Sequence, residues 1–373
     1  MQNNNVIDKY SYCTLFDSNY IDKGIVTIQS LVKQSRESKI YVLCMDFECF
    51  SFLKEYFQNL ERIRLIKLDE FETSELLDAK ANRSKGEYCW TCTASLLSYI
   101  FEKFHEEVCT YIDADLYFFS NPDLVVSEFL KTGKSVQIIE HGFKRGLFKN
   151  KQEQISGKYC VEFNTFVNNE FGRIVLEEWR VNTLRKCSAE ARNLGDQGYL
   201  TEWPQKYQCI DICSNFGVGV APWNINRFAL ADSNEMIIKE KKEIQKVVFY
   251  HFHDLVLSTD SSFNINVFKR YILVNEKLVN AIYGIYLNEL LDVREMLSKC
   301  GKCPNLYKHP ELKQRKTWIE KLKNYVSKPF IEKISLIYSF LVEEKGKNKD
   351  IYSFMCVRNN FLRRRNEYED YAK

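Results

Sequence analysis

The sequence predicts an α/β fold: a mixed, mainly parallel sheet flanked by helices, with a helical C-terminal region after it. Three observations point there. Short apolar, β-branched and aromatic runs alternate with stretches of helical spacing over residues 10–252. Polar clusters stand directly after two of those runs, where open parallel sheets hold their ligands. Beyond about residue 256 the strand signal fades and helical patterns dominate.

Taken in order, Tyr10–Phe16 (YSYCTLF) reads as a strand that stops at Asp17-Ser18-Asn19-Tyr20. Gly24–Lys33 then carries Ile25, Ile28 and Leu31/Val32 at helical spacing. Ile40–Cys44 is a second strand, Phe50–Leu60 a helix and Ile63–Leu68 a third strand, and the amphipathic stretch Thr93–Phe104 leads into a strand at Val108–Ile112. Such alternation builds a parallel sheet covered on both faces. After a turn at Asn121-Pro122 come strands near Ser135–Ile139 and Phe163–Val167, a helix from Phe171 to about Cys187, a loop and helix from Gly195, and a last strand at Lys246–Phe252. Helical patterns follow over Phe268–Leu291, Trp318–Val326 and Pro329–Leu341, so the chain divides into 1–258 and a helical, basic region over 259–373.

Composition narrows the classes. With 373 residues and 45% hydrophobic content the chain can bury a large core, and 14 Gly and 6 Pro leave little room for linker-like sequence. The N-terminal residues lack a basic patch followed by an apolar run, and no stretch reaches the ~18 apolar residues of a membrane span. The expected location is cytoplasmic. Thirteen cysteines, scattered and often inside apolar strands, read as reduced buried thiols. A net charge of +3 is too small to indicate a nucleic-acid partner. From Lys308 to Lys373, 16 Lys/Arg face 9 Asp/Glu, so the basic character belongs to the tail.

The sharpest local feature is Tyr111-Ile112-Asp113-Ala114-Asp115-Leu116. Two carboxylates one small residue apart, after a buried strand, can both turn to one hard cation, Mn²⁺ or Mg²⁺, together with phosphate oxygens. Alone, the pattern also fits a solvated turn, but two unpaired like charges at the end of a buried strand are costly without a counter-ion. Tyr250-His251-Phe252-His253-Asp254 ends the last strand, and the chain has only five histidines. Alternation puts His251 and His253 on one face, where either imidazole suits as a third ligand or as a satisfied core residue. In Gly195-Asp196-Gln197-Gly198, Asp196 fits an N-cap with Gln197 in the first turn of a helix.

The order and spacing of Asp17-Ser18-Asn19-Tyr20, Tyr111–Leu116, Phe163-Asn164, Gly195-Asp196-Gln197 and His251-Phe252-x-Asp254 resemble the GT-A fold glycosyltransferases of the family-8 type, over residues 10–255. That resemblance implies a Rossmann-like GT-A domain and retaining transfer of a sugar from a nucleotide-diphosphate donor, a UDP-sugar by analogy, to a saccharide or lipid-linked acceptor. It further implies that Leu15, Asp17, Asn19 and Tyr20 hold the nucleotide. Asp113, Asp115 and His251, with His253 as the alternative, hold Mn²⁺ or Mg²⁺; Asn164 lines the sugar pocket, and Asp196 and Gln197 lie under the anomeric centre. Asp196 placed close to the acceptor hydroxyl would instead be a general base and give inversion.

Three departures from that pattern stand out. The Lys-Pro-Trp usual after the histidine is replaced by Asp254-Leu255-Val256, and the basic residue usual before the Asp pair is absent, with Arg83 or Lys85 as substitutes. Thr165-Phe166 stands where small residues are usual, which implies a differently shaped sugar pocket. The tail, with Phe330, Ile331, Ile334 and Phe340 among lysines and Arg363-Arg364-Arg365, reads in two ways. It is either a basic amphipathic helix on the inner face of a membrane, suiting surface-polysaccharide assembly, or a helix packed on the catalytic domain or on the second copy of a homodimer. Cys89-x-x-Cys92 and Cys300-x-x-Cys303 lie too far apart in sequence to suggest a shared zinc site. The competing functions are a non-catalytic nucleotide-binding protein on the same fold and a sugar-nucleotide nucleotidyltransferase; the latter expects a Gly-rich basic loop that FDSNYIDKG lacks.

Overall fold

A strand buried along its whole length needs neighbours on both sides, and Ser11–Phe16 (β1) has them. In this computed structural model, which describes residues 10–146, 149–189, 195–258, 262–267, 274–301 and 351–353, β1 leads into the helix Ile21–Gln34 (α1). There follow Lys39–Cys44 (β2), Phe47–Tyr56 (α2), Ile63–Lys67 (β3), the short helices Leu68–Phe71 (α3) and Ser74–Lys80 (α4), and the long helix Lys85–Phe104 (α5). The middle of the chain gives Val108–Ile112 (β4), Leu116–Phe118 (β5), Asp123–Lys131 (α6), Val136–Glu140 (β6), Lys149–Ser156 (α7), Tyr159–Val167 (β7) and Glu170–Arg185 (α8). Then come Trp203–Lys206 (α9), Ile210–Ile212 (β8), a small antiparallel sheet of Ala229–Asp232 (β9), Ile237–Glu240 (β10) and Glu243–Lys246 (β11), and Phe249–His251 (β12). Val256–Ser258 (β13), Ser262–Asn264 (β14), Glu276–Lys299 (α10) and Ile351–Ser353 (β15) complete the elements.

The main sheet has the order β3-β2-β1-β4-β7-β6-β8. Neighbours from β3 to β4 are parallel, β7 runs antiparallel to both β4 and β6, and β8 is parallel to β6. This is the mixed, mainly parallel sheet that the alternation predicts. One face buries Tyr12, Ile25, Ile28, Phe163, Phe249 and Tyr286 in one apolar cluster, and the other buries Leu15, Leu97, Ile100, Phe166 and Trp179 in a second. Helices cover both.

Caps explain where the helices start earlier than periodicity suggests. α5 begins at Lys85 rather than Thr93 because Ser84 and Glu87 form a reciprocal capping box. α2 begins at Phe47 because the Asp46 carboxylate accepts from Cys49 N at 2.7 Å. The strand signal expected to fade near 256 continues as β13 to β15, each three residues long, too short for alternation to register. α10 packs on α1, and the Arg294 guanidinium pairs with the buried Asp22 across that contact. The helices expected at Trp318–Val326 and Pro329–Leu341, the basic run Arg363–Arg365, and Cys303 lie outside the described residues. Among the described residues, no helix is long and apolar enough to cross a membrane.

Asp123 ties three elements at the end of the sheet away from the Asp pair. Its carboxylate accepts from Tyr12 Oη at 2.7 Å, Ser35 Oγ at 2.7 Å and Ser38 Oγ at 3.0 Å. Asp123→Ala strands the buried Tyr12 hydroxyl, and an unsatisfied buried donor costs ~1–3 kcal/mol. The expected loss is about 2–3 kcal/mol in urea unfolding, and adding Tyr12→Phe should recover part of it.

Candidate functional site

The carboxyl end of β4 is where the site is built. Asp113 follows Ile112 directly and its N–H donates to Glu162 O at 3.2 Å, while Asp115 ends the turn and directly precedes β5. α1 fixes this turn: Thr27 Oγ1 lies 2.9 Å from Ala114 O and 2.8 Å from Leu116 O, and Ser30 Oγ accepts from Phe118 N at 3.1 Å. β12 then pairs antiparallel with β5, placing His251 opposite Leu116, and Phe252 N donates to Asp115 O at 2.9 Å. Two segments more than a hundred residues apart thus meet on a two-stranded ladder outside the main sheet.

Their side chains converge. His251 Nε2 lies 3.0 Å from Asp115 Oδ1 and 3.8 Å from Asp113 Oδ2, and one ligand atom from each of the three residues lies within 4.8 Å of the others. His251 Nδ1 faces Glu162 Oε2 on the other side of the ring. Tyr20 Oη donates to Asp115 Oδ2 at 3.3 Å, and Lys23 Nζ reaches Tyr20 Oη at 3.3 Å and Leu255 O at 3.4 Å. Two carboxylates and an imidazole are a fitting donor set for Mn²⁺ or Mg²⁺. Cys160, Glu162 and His251 form a second, fully buried group.

The charges explain the titration behaviour. Burial raises the Asp113 carboxyl to about 7; His251 acts against this, while Asp115 and Glu162 add to it. Burial also pushes Asp115 upward, but the charge and hydrogen bond of His251, helped by Lys23, outweigh it and hold this carboxyl below the usual range. For His251 burial lowers the pKa, and Asp115 and Glu162 overcome it and raise it well above the usual value. Asp196 is raised to about 7, first by burial and then by Asp113, with the Thr93 hydroxyl working the other way.

The remaining residues singled out by sequence are distributed around this centre. Asp17 turns its carboxylate back on its own loop, accepting from Asn19 N at 3.0 Å, Tyr20 N at 3.2 Å and Asn19 Nδ2 at 2.9 Å. Leu15 is core, so only its main chain can face a ligand. Asn164 is buried in β7 opposite Tyr111. Asp196 occupies the expected N-cap position of the 3₁₀ turn Gln197–Thr201 but makes no side-chain cap, because this buried carboxyl is held among Thr93, Tyr111 and Asp113 instead. Gln197 Nε2 donates to Ser156 O at 2.8 Å. His253 is half-exposed, with Nε2 3.4 Å from Asp254 Oδ1, and is not in the convergent set. Arg83 donates to the carbonyls of Asn82 and Leu184. Among the described residues, Lys23 is the lysine whose charge bears on Asp115.

Thr165 and Phe166 serve the core. Thr165 Oγ1 pairs with Thr110 Oγ1 at 2.8 Å, and Phe166 stacks on Trp179 at 5.9 Å. Glu162 is the residue that sequence reasoning missed. Between the pairs Gln137–Thr165 and Ile139–Cys160, β6 advances two residues and β7 five, and this bulge carries Glu162. A lone acid in the otherwise uncharged run Tyr159–Val167 was the available signal.

No protein-family model matches the chain. It is similar to the uncharacterized protein YfnD of Bacillus subtilis (strain 168), with 26% identity over 286 residues, covering 75% of this chain and 88% of that one. Among solved structures it is similar to mouse xyloside xylosyltransferase 1 in its apo form, at 12% identity, covering 66% of this chain and 98% of that one with a TM-score of 0.42. It is also similar to the galactosyltransferase LgtC in complex with donor and acceptor sugar analogs, at 11% identity, covering 65% and 87% with a TM-score of 0.41. Overlaps this weak leave the functional reading to the site geometry.

Proposed function

We propose that the chain is a glycosyltransferase of the GT-A kind that moves a sugar from a nucleoside-diphosphate donor to a saccharide or lipid-linked acceptor. The observation that carries this reading is the convergence of Asp113, Asp115 and His251 at the carboxyl end of β4. In this reading the three hold Mn²⁺ or Mg²⁺, which, when bound, supplies Lewis-acid stabilisation of the charge that develops on the departing diphosphate. Asp17 shapes the loop whose main chain, with Asn19 and Leu15, faces the nucleotide. The Tyr20 hydroxyl orients Asp115, and Lys23 adds the positive charge that a lysine after His251 would otherwise give. Asp196, buried and near Asp113, and Gln197 lie on the sugar side, and Asn164 lines that pocket. Retention of configuration is part of the proposal, as is a role in surface-polysaccharide assembly.

Calorimetry with UDP and Mn²⁺, followed by a panel of nucleoside-diphosphate sugars scored for hydrolysis, tests this. The expected result is UDP binding that weakens at least tenfold in excess chelator, with consumption of at least one donor. Absence of any nucleotide binding would favour a non-catalytic role on the same fold. The first-formed product anomer, read by NMR, reports stereochemistry, and inversion would assign Asp196 as general base.

A further inference from the structure

We propose that Glu162 is a positioning residue for His251, holding the imidazole with its proton on Nδ1 so that the Nε2 lone pair faces the cation between Asp113 and Asp115. This rests on the metal-site reading above. The two ring nitrogens of His251 face different partners: Nδ1 meets Glu162 Oε2, and Nε2 meets Asp115 Oδ1 at 3.0 Å. A carboxylate on the far nitrogen of a metal-binding histidine fixes its tautomer and orientation.

The surroundings of the Glu162 carboxylate fit this role. It is fully buried, and among the described residues its Oε1 has no hydrogen-bond partner. A buried carboxylate oxygen left unpaired is costly, so its retention in an uncharged strand needs a use. The space for it comes from Gly219, in the left-handed region at φ +76°, where a Cβ would stand 2.8 Å from Oε1. Trp223 lies edge-on to the imidazole at 5.2 Å and closes the side from which the ring could turn. The bulge in β7 aims Glu162 at the ring.

A titration of Mn²⁺ alone, followed by the electron paramagnetic resonance of the free ion, reads the effect directly. Glu162→Ala is expected to bind Mn²⁺ about 10–100-fold more weakly than wild type, the usual range for loss of such a partner. Glu162→Gln, which still accepts from Nδ1–H, should lose less than about tenfold, with an unchanged Tm. Glu162→Ala binding within threefold of wild type would overturn the proposal. If Glu162→Ala does not fold, Glu162→Asp carries the same expectation, since it keeps the charge but withdraws the oxygen by one methylene. Cys160→Ser should leave the affinity within threefold; a loss as large as that of Asp115→Ala would place the cation on the Cys160 side and overturn it as well. A wild-type chain that takes up no Mn²⁺ would overturn the metal reading itself, a result distinct from an unaffected Glu162→Ala.

Discussion

Asp115→Ala is expected to lower turnover of the nucleoside-diphosphate sugar about 10³-fold, or about 4 kcal/mol of transition-state stabilisation, while the far-UV circular dichroism stays unchanged. Asp115 is the enclosed member of the pair, with 8% of its side chain exposed and His251 Nε2 at 3.0 Å, so no water can replace it without reorganising the pocket. Asp113 is 29% exposed and 3.8 Å from the same nitrogen, and water can take part of its role. Asp113→Ala should therefore lose less, about 10²-fold. Steady-state transfer or hydrolysis at saturating Mn²⁺ gives both numbers. Full turnover in Asp115→Ala, or in wild type with excess chelator, would end the metal-dependent reading.

Trp179→Ala should have the largest effect on stability, about 3–5 kcal/mol in urea unfolding. The indole is fully buried, stacks on Phe166 and meets Trp203 edge-on at 5.5 Å, so its removal opens a cavity that rigid rings cannot fill. Trp179 also donates from Nε1 to Asp196 O at 3.0 Å, which connects the packing beneath α8 to the loop carrying Asp196 and Gln197. Trp179→Phe separates the two roles. It keeps most of the apolar contact, for an expected cost of about 1–2 kcal/mol, but removes the bond to Asp196. Its kcat should then fall more than its stability suggests; an unchanged kcat would show that Asp196 does not depend on this tie.

How much of this could be read from sequence follows from which residues act locally. β1, β2 and β4 were legible because buried parallel strands are near-continuous apolar runs, and Val108–Ile112 is one, while the edge strand β3 showed through Ile63, Leu65 and Ile66. The Asp113 and Asp115 pair stood out as the charge ending that run, and the scarcity of histidine marked His251. What sequence could not give was the route by which they meet. β12 joins β5 in a ladder of its own, and three-residue strands carry too little periodicity to show a partner. β8, of three residues, and β9 to β11, of four each, went unread because runs this short carry little periodicity. Lys23, just before the helical spacing that begins at Gly24, carried no signal of its own, since its neighbour Leu255 is far away in sequence. Glu162 depends on a bulge, and alternation cannot say which way a side chain points through one. At Asp196 the position was right and the bond was not, because local capping lost to long-range burial.

The β5–β12 ladder also sets a timetable. Asp113 and Asp115 leave the ribosome well before His251, so the nascent chain carries two of the three residues of the proposed cation site for as long as synthesis of the intervening segment lasts. During that interval the acidic turn has Thr27 and Ser30 of α1, the Tyr20 hydroxyl and the Glu162 carbonyl to steady it, but not β12. On the proposed metal reading, cation capture is then a late event, and one that joins the two ends of a long loop closure. In the same proposed reading, an ion held there ties β5 to β12 on a finished fold, and its release is expected among the first signs that the fold is opening.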